Sequence, residues 1–334
     1  MSRVAAHPLP DKLSLPSVPS LAPRSAVTLL AVLVLAGMCT SGCSLRRYAI
    51  KRAMPIVEEA MPALEGERDL DFARDALAGN IKILEAVHLA EPTNQRLRVL
   101  LARAYGSYAL AFPQDEAERW ELEDPARSDL ARARARDFYQ RCKGYATTVV
   151  AERNPEIVAA LEGRAAAAEG RVAALTRALA KASKDDVPAL FWMAYGWGNL
   201  VNLSRDNIAV VSEAPLVVTI MERLVELDER YFMGGAHLFF AAWYGGLPKA
   251  LGGKPDLAEQ HFKRAEEINE GKLMLIPIYR ARFLAVQAQD RELFESELRK
   301  VLASKDDILP GQDLVTALSK HKARWLLQMA DDLF

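Results

Sequence analysis

The sequence predicts an all-α fold built from stacked helical hairpins, and three observations carry that reading. Alanine is abundant and runs of β-branched residues are few, which favours helix. From about residue 45 onward, apolar residues recur at spacings of three and four in one segment after another. No segment alternates apolar and polar residues between hairpin turns, as a half-buried strand would. The 334 residues are 51% hydrophobic, enough for a sizeable core, which excludes a mostly disordered chain. A net charge of -1 argues against a dedicated nucleic-acid binder. The three cysteines, Cys39, Cys43 and Cys142, are too few for a disulfide framework.

The N-terminus reads as a targeting segment. Residues 25–45 carry no charged side chain, and Ala26 to Met38 form an apolar core behind Arg3, Lys12 and Arg24. That is the layout of a secretory signal peptide; a membrane-spanning helix needs about 20 strongly apolar residues. The Ser41-Gly42-Cys43 ending resembles a bacterial lipobox, with Thr40 where leucine is usual. On this reading residues 1–42 are a lipoprotein signal peptide, Cys43 is lipidated and residues 43–334 form one α-helical domain. An uncleaved anchor is the alternative, and both place the remainder outside the cytoplasm. By resemblance to the lipoprotein sorting rule, Ser44 directs the protein to the outer membrane. Cys142, within a helical pattern, is expected to be a small buried residue rather than a reactive thiol.

The elements follow in order. Residues 66–90 give one helix or two, with Gly79-Asn80 as the break between them. Residues 96–112 follow, with Leu97, Leu100, Leu101, Ala104 and Tyr105 at helical spacing and Pro113 as a breaker. Gln114 to Ser128, rich in acidic residues, reads as a surface insertion. Residues 129–151 form a long helix with a basic face (Arg132, Arg134, Arg136, Arg141, Lys143) that is expected to be solvated. Arg171 to Ser183 form another helix. Further helices are expected at about 188–203, 215–228, 231–245, 255–270, 275–288, 290–303 and 312–332, with Asp290 and Asp313 as N-caps.

Two internal comparisons point to repeats. Leu89, Leu100, Ala104 and Tyr105 match Leu227, Leu238, Ala242 and Trp243 at a constant offset, close to four units of the roughly 34-residue tetratricopeptide period. Ala258, Phe262 and Ala265 share their spacing with Ala135, Tyr139 and Cys142. Small residues let helices approach, and the bulky one fills the gap to the next hairpin. The expected architecture is a tetratricopeptide-like helical-hairpin solenoid, a superhelical array with a concave binding face.

Catalytic and cofactor motifs are absent: no HExxH, paired CxxC, GxSxG or phosphate-binding loop. His88, His237, His261 and His321 lie far apart in sequence and in no metal-ligand spacing. Gly196-x-Gly198 lies inside a tryptophan-rich helix and is better explained by close packing than as a dinucleotide fingerprint. The pairs Asp185-Asp186 and Asp306-Asp307 sit at helix ends, where caps or dipole partners are the expected role. The sequence therefore reads as a non-enzyme. Aromatic residues with polar tips are the candidate cleft: Trp192 and Tyr195 on one helix face, Trp197 and Asn199 pointing elsewhere from the same helix, and His237, Phe240, Trp243 and Tyr244. Tyr105 joins this set. Plain core packing is the alternative for each.

Several runs together resemble the T-component (TatT) family of TRAP transporters, which are tetratricopeptide lipoproteins. They are the SGC segment at Cys43, Glu91 to Asn94 with LARAYGSYALAF (Leu101 to Phe112), and DVPALFWMAYGWGNLVNLS (Asp186 to Ser204). VELDERYFMGGAHLFFAAWYGGLP (Val225 to Pro248), LGGKPDLAEQHFKRA (Leu251 to Ala265) and the terminal MADDLF complete the match. The resemblance implies a lipid-anchored helical accessory facing the periplasm. Its implied partner is the TRAP substrate-binding subunit, and its implied cargo a small organic or hydrophobic solute in a helical cleft or pore. Self-association into an oligomer is also implied. The competing reading is an outer-membrane tetratricopeptide scaffold for envelope or outer-membrane protein assembly.

Overall fold

A computed structural model describes residues 61–163, 168–249 and 252–334. The expected signal segment and Cys43 lie outside the described residues. Among the described residues the chain is helical throughout, with no strand, and no helix is long and apolar enough to cross a membrane.

The chain opens with α1 (Met61–Glu65), α2 (Leu70–Ala90), α3 (Gln95–Ala111), α4 (Pro113–Arg119) and α5 (Pro125–Arg153). It continues through α6 (Pro155–Glu162), α7 (Ala168–Leu179), α8 (Val187–Asn202), α9 (Ile208–Val211), α10 (Ala214–Asp228), α11 (Tyr231–Gly245) and α12 (Pro255–Ile268). The last elements are α13 (Leu275–Tyr279), α14 (Val286–Ala288), α15 (Arg291–Ala303), α16 (Asp313–Gln328) and α17 (Ala330–Leu333). Side-chain caps start several of them. Asp69 accepts from the amides of Asp71 and Phe72, Asn94 from Leu97, Asp124 from Arg127 and Asp290 from Leu293.

Several boundaries differ from expectation. Helix α2 runs unbroken through Gly79-Asn80, because Ile81 and Leu84 beyond them are buried and hold the second half in register. Pro113 breaks the preceding helix as expected, since α3 ends at Ala111 and Phe112 leaves helical geometry, and it also opens α4 at the first turn, where its missing N–H costs nothing. The segment read as a surface insertion contains α4, and Gln114, Asp115 and Ala117 are buried. Asp313 is not a cap. It is the first residue of α16 and pairs with Arg68 at 2.7 Å. The stretch 275–288 is interrupted by a π-helical turn, Arg280–Ala285.

Helix α5 is the central strut. It packs against α3 on one side and α8 on the other, and α8 in turn packs on α10. Small residues allow this closeness. Ala135, Tyr139 and Cys142, the triplet singled out by spacing, are fully buried, as are Ala258, Phe262 and Ala265 on α12. The Cys142 thiol donates to the Trp192 carbonyl at 3.2 Å, and burial pushes its pKa well up. A Cβ at Gly196 would lie 2.8 Å from both Lys143 N and Tyr139 O, so backbone meets backbone there. The glycine pair before α8's end is therefore a packing device.

The array closes on itself. Helix α16 packs against α1, α2 and α4, its pairing partner α15 on the other side. Gln312 donates to Glu65, and Arg68 donates to Asp313 at 2.8 Å, across about 245 residues of sequence. Helix α11 begins irregularly: Phe232, Met233 and Gly234 have φ of 47°, 57° and 73°, a left-handed turn. Non-glycine residues in that region are strained by about 1–2 kcal/mol each. Packing holds the turn: Phe232 lies against Trp192 with ring centroids 4.7 Å apart, and Asn269 donates to the Met233 carbonyl at 2.9 Å.

Gly196→Ala should force α5 and α8 apart and destabilise the protein by about 1–3 kcal/mol. Urea denaturation measures it. Gly144→Ala, a site on α5 with nothing within 4 Å of the new Cβ, should be neutral or slightly stabilising.

Candidate functional site

Acidic residues on α4 and basic residues near the C-terminus meet inside the array. Asp115 accepts from Lys322 Nζ at 2.8 Å, from His321 at 3.2 Å and from the Trp325 indole at 3.3 Å. Glu118 accepts from Arg282 at 2.7 Å, from Lys322 at 3.0 Å and from the Gln114 amide at 2.8 Å. The Tyr139 hydroxyl donates to Gln114 Oε1. Helix α4 supplies Asp115 and Glu118 three residues apart, so both face one way. The π-helical turn adds a residue to its stretch of helix and supplies Arg282; α16 supplies His321, Lys322 and Trp325.

Burial opposes the charge on both carboxylates, but the cations outweigh it. Lys322 holds Asp115 well below its usual range, and Arg282 with Lys322 holds Glu118 down to about 2. Lys322 has 2% of its side chain exposed, and burial lowers its pKa, yet Asp115 and Glu118 raise it above the ordinary value. All four groups are therefore ionised at neutral pH.

Beside this cluster stand three tyrosines. Burial, and then neighbouring charges that include Glu118, raise the pKa of Tyr139, Tyr195 and Tyr279, the last to about 12. All three are neutral phenols at physiological pH. Tyr139 and Tyr195 have ring centroids 6.0 Å apart. Tyr139 is fully buried. Tyr195, Tyr279 and Arg282 are half-buried, with 22% of the Arg282 side chain exposed, and their accessible edges beside the charge cluster make one partly open patch, the recess. Half-buried Leu200 and Leu203 pack on the same Ala109–Ala135–Tyr139 cluster as Tyr195, and Leu110 and Leu284 pack on the cluster that Tyr279 also touches. The arrangement offers phenolic donors, a guanidinium edge and apolar walls, which suits holding a small solute without covalent chemistry.

Of the residues expected in a cleft, Tyr195 alone borders this recess. Trp192 is fully buried against Phe191, Tyr195 and Phe232. The Asn199 amide donates to the Tyr195 carbonyl at 2.9 Å, inside its own helix. Tyr105 is buried in a separate patch, stacked on Tyr145, with its hydroxyl donating to Glu85 and accepting from Arg141. Trp243 is half-buried and lies parallel to Phe239 at 6.2 Å. The basic face of α5 is only partly solvated: Arg132 pairs with Glu121, Arg136 donates to the Leu203 carbonyl and Lys143 lies over Trp197.

His237, Phe240 and Tyr244 do come together. His261 of α12 stacks on Phe240 at 4.9 Å and on Tyr244 at 5.8 Å. The two histidines share a hydrogen bond between their Nδ1 atoms at 2.9 Å, which needs one of those nitrogens unprotonated. Burial lowers the pKa of both, and the neighbouring His237 lowers His261 further, to about 4. Glu229 anchors the pair, at 3.3 Å from His237, and is itself tied to Arg264. Among the described residues no group of three or more His, Cys, Asp or Glu could hold a metal ion.

The buried cluster was missed by sequence reasoning, although one signal was present. Lys322 sits four residues after Leu318 and four before Leu326, on the apolar side of its helix. Nothing in the sequence could pair it with α4.

Lys322→Met should cost about 3–5 kcal/mol, because two buried carboxylates lose their shared cation. Adding Asp115→Asn and Glu118→Gln should recover most of that loss in urea denaturation. Acid should weaken the fold in two stages. The histidine seam favours folding fully above the unfolded value near 6.5 and loses that contribution as pH falls toward about 4. The carboxylate cluster contributes above about 4.5 and fails only as pH falls toward about 2. Stability measured from pH 7 to 2 should show both steps, and His261→Phe should flatten the first alone.

An uncharacterized protein of Treponema pallidum (strain Nichols) is 26% identical over 312 residues, spanning 88% of this chain and 94% of that protein. The family described as TRAP transporter T-component matches residues 66–334, which takes in every element from α2 to α17 and all residues of the recess. The chain belongs to the TRAP transporter T-component family.

Proposed function

We propose that this protein is a non-enzymatic, lipid-anchored accessory of a TRAP-type uptake system, held at the outer membrane and facing the periplasm. In this reading the tetratricopeptide-like array binds the substrate-binding subunit and receives a small organic or hydrophobic solute in its recess. One observation supports it: a member of this family sets half-exposed Tyr195, Tyr279 and Arg282 beside a buried charge cluster. Neutral phenols and a guanidinium orient a solute through hydrogen bonds, and the leucines around them hold its apolar part. Every group there binds or positions; no nucleophile is paired with a base. The apolar segment before Cys43 supports the anchor, since acyl chains on one cysteine hold a protein at a membrane where one chain alone binds marginally.

Mild crosslinking in intact envelopes, followed by purification, should recover a TRAP substrate-binding subunit. Recovery of outer-membrane assembly factors without that subunit would favour the scaffold instead. Cys43→Ser should move the protein out of the membrane fraction or leave it unprocessed. Tyr279→Phe keeps the ring and removes only the hydroxyl, so it should retain partner capture and lower uptake of the system's solute about tenfold, as expected for one lost hydrogen bond to a charged group.

A further inference from the structure

A second cavity, of about 410 Å3, shares no lining residue with the tyrosine recess. It lies between α5, α6, α7 and α8, closed by Glu213 at the start of α10. Its charged groups are two cations and two carboxylates, Lys143, Arg171, Glu162 and Glu213, and the Thr147 hydroxyl already donates to the Lys143 carbonyl at 2.7 Å. Lys143 Nζ stands 3.9 Å from the centre of the Trp197 ring, and the Trp197 indole donates to Glu213 Oε2 at 2.8 Å. Among the described residues Lys143 has no carboxylate within ion-pair distance, and burial lowers its pKa against the pull of Glu213. Arg171 donates one guanidinium N–H to the Leu161 carbonyl at 2.7 Å, while its Nε is buried with no partner. Glu162 is exposed at the rim. The half-buried side chains of Val158 and Leu161 form the apolar wall.

These groups have a specific complement. Among the described residues neither the ammonium of Lys143 nor the Nε–H of Arg171 has an acceptor, so they call for an oxyanion. Glu162 and the second oxygen of Glu213 call for a donor. The four charges cancel, so a monoanion or a monocation would leave the cavity with an uncompensated charge. A zwitterion would not. The apolar wall adds the need for a hydrocarbon body. We propose that this cavity is a second binding site that takes a zwitterionic α-amino acid with an apolar side chain. The ligand carboxylate meets Lys143 and Arg171, its ammonium meets Glu162 and Glu213, and its side chain lies on Val158 and Leu161. An unpartnered buried donor is costly, and the ligand carboxylate removes that cost at Arg171.

Isothermal titration of the detergent-solubilised full chain with L-leucine, isocaproate and isoamylamine tests this. The three share one hydrocarbon body, and the last two each lack one charged group. L-leucine should bind, and each truncated analogue should bind at least about tenfold more weakly, the loss expected when a charged hydrogen bond goes unmade. Glu162→Gln, at an exposed position, should weaken L-leucine about tenfold and leave isocaproate unchanged. Lys143→Met should abolish both. Isocaproate binding as tightly as L-leucine, or no heat from L-leucine at millimolar concentration, would overturn the proposal. Tyr279→Phe should leave L-leucine binding unaltered, so this site stands or falls separately from the uptake reading.

Discussion

A lysine with 2% of its side chain exposed can stay charged only if carboxylates reach it, and Lys322 has two. Asp115 and Glu118 come from α4, Lys322 from α16, and the two helices are separated by about 200 residues of sequence. Desolvating these groups is expensive, and their mutual attraction repays it only when every partner is in place. The cluster is complete here: Gln114, Arg282, His321 and Trp325 meet the remaining oxygens. That requirement fixes where the last long helix must lie. It brings the last long helix back onto α1, α2 and α4.

Close packing then shapes the interior. At the seam between α5 and α8 only a hydrogen fits at position 196, so the two backbones touch and Tyr139 and Tyr195 come ring to ring. The left-handed turn at Phe232 to Gly234 works in the same direction. It stores strain, and it places Phe232 against Trp192 while letting α11 start hard against Phe191. Strained backbone survives where surrounding contacts over-determine it, and here the ring stack of Phe191, Trp192 and Phe232 does so.

Two kinds of polar interior result. The recess near Tyr195, Tyr279 and Arg282 has neutral phenols beside a neutralised charge cluster, and its apolar borders are leucines. The cavity near Lys143 and Arg171 sets two cations against Glu213 and the exposed rim residue Glu162. The first suits a solute with one polar end. The second suits a molecule carrying both signs.

The sequence by itself determined the all-α class, because helical periodicity and alanine content are local properties that each segment carries alone. It also determined which triplets would be fully buried, Ala135-Tyr139-Cys142 and Ala258-Phe262-Ala265, since spacing places them on one face. The family resemblance, read from runs such as LARAYGSYALAF, was equally legible, and the match over residues 66–334 agrees with it. Tertiary structure alone decided the recess. Asp115 and Glu118 read as surface charges in an acidic segment, and only the return of α16 makes them interior. Of the aromatic candidates, tertiary packing sent Trp192 into the core, Tyr195 to the recess and His237 against His261. The reason is physical. A helix face is set by residues three and four apart, whereas a site is set by which faces meet, and that depends on contacts made across the whole length of the chain.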